Sequence, residues 1–77
     1  MKLDEKDFII ELRGNRRCLI EGISGLAEYG ENAVAARAGS AVIRINGKGL
    51  RMYMMADDRL GVCGEISLVQ LEQSDDK

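Results

Sequence analysis

From Ala41 to Met55 the chain reads AVIRINGKGLRMYMM, and this stretch constrains the fold more than any other. Ala41, Ile43 and Ile45 alternate with Val42, Arg44 and Asn46. Beyond Gly47-Lys48-Gly49, Leu50, Met52 and Met54 alternate with Arg51, Tyr53 and Met55. Period-two alternation on both sides of a glycine-rich link predicts a β-hairpin with its turn at 46–49. Asn46-Gly47 tolerates the positive φ of such a turn, and Gly49 lets the chain leave it. A hairpin this short cannot bury its apolar face alone, so the rest of the chain must supply strands.

Read in order, residues 1–7 are charged and aperiodic and predict a flexible lead-in. Phe8 to Leu12 is a strand candidate, followed by a turn at Arg13-Gly14-Asn15-Arg16 and a second strand from Arg17 to Gly22. At Gly22 the alternation slips by one residue, the mark of a bulge or bend. Ile23 to Tyr29 is a third strand, ended by Gly30-Glu31-Asn32. The alanines of Ala33 to Ala38 favour helix by propensity, yet six residues between turn signals suit a strand better. After Met55, Asp57-Asp58 is a turn, Leu60 to Ile66 alternates around Gly64, and the phase slips again near Ser67. Residues 73–77 form a polar tail. The pattern predicts one all-β domain over 8–72, a small antiparallel β-sandwich or barrel-like meander of seven to eight short strands. Glu21-Gly22-Ile23-Ser24 and Gly64-Glu65-Ile66-Ser67 echo each other, both at phase slips, as bends that carry strands between layers would require.

At 77 residues the chain is one small domain of marginal core size. Its net charge of −2 supplies no whole-molecule field for nucleic acid or an acidic membrane. Cys18 and Cys63 each lie in an apolar strand-like run, which favours buried free thiols over a bridge. There is no histidine, so a metal site would have to rest on carboxylates, and a serine nucleophile would have to find a lysine. Neither Gly22-Ile23-Ser24-Gly25 nor Gly47-Lys48-Gly49 has the spacing of a phosphate loop. Asp57-Asp58 and the Glu28, Glu31 pair sit at turns, where solvated charge is the default. No catalytic constellation, cofactor loop or metal set emerges, and no run approaches membrane-spanning length. A cytoplasmic protein is expected.

Two features remain. Arg13, Arg16 and Arg17 cluster at the first turn, and Arg44, Lys48 and Arg51 project from the central stretch, as in small barrels that bind single-stranded nucleic acid. Only Tyr53 shares a face with Arg51, so nucleic-acid binding stands as the alternative function. The second feature is Leu50, Met52, Tyr53, Met54 and Met55, which make both faces of one strand apolar at its end. A second subunit would cover the surplus, and a homodimer through this strand is expected. Gly22, Gly47, Gly49 and Gly64 are the expected turns or bulges.

Asn15-Arg16, Cys18, Ile20, Gly22, Ile23, Leu26 and Tyr29 resemble the opening of the YabP/YqfC sporulation proteins. Gly39 to Met52 is similar to that family's middle, and Val62, Gly64, Ile66, Val69 and Leu71 are similar to its close. The resemblance covers Phe8 to Leu71 and is nearer the YqfC branch, through ELRGNRRCLIEG and the NGKGL turn. Ala41, Leu71 and AVAARA depart from the family pattern. The resemblance implies a small all-β protein of endospore formation, with no enzymatic activity known for the family; the residues themselves offer no cofactor loop. It also implies action in the mother cell at the developing spore, with a membrane-associated sporulation protein as partner.

Overall fold

A computed structural model describes residues 8–73; the expected lead-in over 1–7 and the end of the tail over 74–77 lie outside the described residues. Six strands follow in chain order: β1 (Ile9–Arg13), β2 (Arg17–Glu21), β3 (Gly25–Tyr29), β4 (Ala33–Ala38), β5 (Ala41–Ala56) and β6 (Arg59–Gln73). All pairings are antiparallel and all belong to one sheet, ordered β1-β2-β6-β5-β4-β3. The fold is therefore all-β, and the described residues form six strands in one antiparallel sheet in place of the seven to eight short strands expected of a sandwich or barrel-like meander. Two pairs of expected short strands are fused into β5 and β6.

The fusion has a local cause. Asn46 to Gly49 is not a turn; β5 continues through it without a break, and the hairpin turn lies at Asp57-Asp58. Gly47 is required because β6 passes at backbone distance, so that a Cβ there would run into the carbonyl oxygen of Glu65. Across the hairpin, Gly64 adopts φ +136°, and a Cβ on it would lie 2.6 Å from the Gly49 carbonyl oxygen. The register shifts at 46/47 and again between Lys48 and Arg51, so both strands bend together at these glycines.

The bend doubles the sheet over on itself. Sixteen extended residues would span about 53 Å, whereas the longest dimension of the protein is 38 Å. The carbonyl of Asp58, at the hairpin tip, accepts the N–H groups of Gly22 and Ile23, and the Arg37 carbonyl near its base accepts that of Ser24. Three consecutive residues thus join tip to base. One half of the sheet holds β1, β2, the start of β6 and the end of β5; the other holds β3, β4, the start of β5 and the end of β6. Cys18, Ile20, Leu60 and Val62 from the first half meet Val34, Ala36, Ala38, Ile43 and Ile45 from the second in one buried cluster. Leu50 and Ile66 fill the bend.

The two halves are built alike. The β3–β4 turn takes the N–H of Gly47 on the Asn32 carbonyl and that of Leu50 on Glu31. Correspondingly, the β1–β2 turn takes the N–H of Gly64 on Arg16 and that of Ile66 on Asn15. Each short hairpin therefore clamps the bend of one long strand and satisfies donors that the bulge releases from the ladder. The sequence echo between 21–24 and 64–67 is not this relation: Gly22 lies in the connection between halves and Gly64 in the bend of β6.

Candidate functional site

Because Cys18, Ile20, Leu60 and Val62 point inward, the alternate residues of the same strands face out. Arg13 is paired with Arg17, Arg17 with Cys63, and Cys63 with Arg51. Residues directly opposed across antiparallel strands share a face, so these four form one outward row across β1, β2, β6 and β5. The Arg17 guanidinium carbon sits 5.6 Å from the centre of the Tyr53 ring. That ring lies on Gly61, where a Cβ would come within 2.5 Å of its Cζ. A shallow pocket of about 160 Å³ is lined by Glu11, Arg13, Arg17, Leu19 and Tyr53.

The other half presents a different outer face. Arg44 Nη1 donates to Glu28 Oε1 at 2.6 Å, and Arg44 Nε donates to Glu72 Oε2 at 3.2 Å. These hydrogen bonds and the two negative charges hold the Arg44 pKa above the ordinary guanidinium value. Lys48 sits at the bend opposite Glu65. The six basic residues singled out in the sequence are thus divided: Arg13, Arg17 and Arg51 share a row, Arg16 lies in the first turn, Arg44 is neutralised on the far half, and Lys48 stands apart. Glu28 and Glu72 lie far apart in the chain, and no spacing in the sequence signals that they meet at one arginine.

Along the rim, β3 approaches the end of β5. Leu50 N donates to the Glu31 carbonyl at 2.9 Å, Met52 N to Tyr29 Oη at 3.4 Å, and Ile23 N to the Asp58 carbonyl at 3.0 Å. Between these clamps no backbone hydrogen bond joins β3 to β5 among the described residues, so the stretch from Tyr53 to Ala56 keeps one unpaired edge. A groove of about 580 Å³ opens beside the upper clamp, lined by Tyr29, Gly30, Glu31, Gly49, Leu50 and Arg51. Of the strand residues expected to associate, Leu50 is buried in the bend, Met52 and Met54 are half-buried, and Tyr53 and Met55 are each 46% exposed. Tyr29, whose hydroxyl holds this rim, carried no such signal in the sequence.

Both cysteines are free. Cys18 is buried in the core, and desolvation pushes its thiol pKa up to about 11. Cys63 is half-buried on the outer face. Among the described residues no group of three His, Cys, Asp or Glu side chains could hold a metal ion, and no helix is long and apolar enough to cross a membrane.

A doubled-over sheet with an arginine row on one outer face and an unpaired strand rim defines a small all-β protein. The model of the YabP family matches residues 4–77, nearly the whole chain, and the protein belongs to that family. YabP is a family of sporulation proteins and is not known as enzymatic. No curated protein and no solved structure matches the chain.

Proposed function

We propose that this protein is a non-catalytic assembly module of endospore formation that works as a homodimer in the mother-cell cytoplasm, holding a membrane-associated sporulation protein at the developing spore. Within the family we infer that it lies nearer the YqfC branch, on the ELRGNRRCLIEG stretch and the NGKGL segment. Family membership supports the sporulation role. The observation that carries the assembly role is the unpaired rim of β5, where Tyr53 and Met55 are half exposed beside free backbone donors and acceptors. An unprotected edge of this kind gains by pairing with another strand, and a second copy supplies the same edge in antiparallel orientation.

Sedimentation velocity tests this directly. The dimer is expected at tens of micromolar, on the order of ordinary interface affinities. Met55→Lys, which places a charge on the open edge, should yield a folded monomer. A wild-type monomer at that concentration removes the dimer from the proposal.

A further inference from the structure

We propose that the outward row of Arg13, Arg17 and Arg51 is a docking site for an acidic, extended segment of a protein partner. Arg51 and the Tyr53 ring beneath Arg17 belong to β5, the strand argued above to self-associate, but the row lies on the outer face and not on the open edge, so it does not depend on that pairing. Four strands carry it, so it spans three interstrand spacings, about 14 Å. An extended peptide covers that length in about four residues, with carboxylates at alternate positions on one side.

Charge complementarity identifies the occupant. Arg13 and Arg17 are directly opposed, an arrangement that like charges destabilise. The outward arginine of the other half, Arg44, is met by two carboxylates, whereas among the described residues Arg13, Arg17 and Arg51 reach none within ion-pair distance. Glu11 borders the same pocket without closing such a pair. Arg17 is already placed, its guanidinium over the Tyr53 ring and the ring seated on Gly61, so binding costs little ordering there. Planar guanidinium forks match carboxylates in bidentate geometry.

A single-stranded nucleic acid fits less well. Its affinity in such barrels comes from bases stacking on open aromatic faces, and the Tyr53 ring has Gly61 beneath it and Arg17 above. A net charge of −2 also gives no long-range attraction for a phosphate polymer, whereas short-range pairing needs none.

Fluorescence anisotropy with a short labelled peptide of alternating Asp and Ser tests the site on the full chain. The Asp peptide should bind in a salt-sensitive manner and the matching Asn peptide should not. Arg13→Glu and Arg51→Glu should each weaken binding by about tenfold or more, while Arg37→Glu, on exposed β4 surface, should leave it unchanged. Both row positions are exposed, and circular dichroism melts confirm that each variant is folded. Arg17→Lys keeps the charge but loses the fork, and should weaken binding less than charge reversal. Equal binding of the Asn peptide, indifference to Arg13→Glu and Arg51→Glu, or tighter binding of an oligothymidine than of the Asp peptide would each overturn the assignment.

Discussion

Arg44 on β5 donates to Glu28 on β3 across the whole width of β4, at 2.6 Å, with Ala35 fully buried on the strand between them. Arg44 is paired directly opposite Ala35, so the methyl group leaves room for the arm of the arginine to lie across the strand. The alanines of β4 thereby acquire a purpose on the outer face as well as in the core. In Arg44→Met the apolar cover is kept and the ion pairs are lost; in Arg44→Ser both are lost. Urea midpoints should fall in the order wild type, Met, Ser. At about 1 M salt, where surface charge pairs are screened, the gap between wild type and Arg44→Met should close while the Ser variant stays low.

At the bend, Gly47→Ala should cost about 2–4 kcal/mol, because the obstacle is the Glu65 backbone and not a flexible side chain. Gly14→Ala makes a useful contrast. Gly14 has φ +58° but open space around it, so only conformational strain of about 1 kcal/mol is expected. Denaturant titrations that returned equal losses for the two would show that close strand approach is not what selects glycine at 47.

Tyr53 and Gly61 should behave as a coupled pair. Gly61→Ala pushes the ring off the sheet and should destabilise the protein. In the Tyr53→Ala background the same change has nothing to displace and should cost little. A double-mutant cycle should return a coupling energy of about 0.5–3 kcal/mol, the range for residues in contact.

Cys18 sets a limit on alkaline stability. Its folded pKa of about 11 lies above that of an unfolded thiol, about 8.5. The unfolded chain therefore releases this proton first, so stability is intact below about pH 8.5 and falls progressively as pH rises toward 11. Cys18→Ala should flatten that decline in urea titrations while lowering stability at neutral pH through the cavity it leaves. At pH 8, iodoacetamide should modify Cys63 in the native protein and reach Cys18 only after unfolding.

Most of the strand positions were legible in the sequence because each is short, alternating and ended by glycine or by an Asp, Asn or Gly turn. Even Ala33 to Ala38, with alanines that prefer helix, is strand, since burial against Ile43 and Ile45 outweighs a propensity spread over six residues. The central Asn46-Gly47 pair has the signature of a turn yet lies inside a strand, for a specific reason. Asn-Gly has two uses: it supports positive φ in a tight turn, and its glycine lets two backbones come close. At Gly47 the second applies. The matching slip near Gly64, on the far side of Asp57-Asp58, is the signal that favours a bent long hairpin, since a kink in one strand must be met by a kink in its neighbour. The arginine row was only half visible. Arg13 and Arg17 are near in sequence, but their alignment with Arg51 depends on the pairing of β2 with β6, a long-range registration that period-two alternation cannot supply.

That registration also governs when the molecule can be completed during synthesis. The strand at 17–21 has its inner neighbour at 59–63, so the β1–β2 hairpin must wait for β6, the last of the described strands, before it has a place to sit. Strands β3, β4 and the start of β5 pair with successive neighbours and can meander together earlier. The hairpin of β1 and β2, with Ile9 and Leu12 still exposed in the finished fold, is thus the piece whose apolar side chains wait longest for a neighbour.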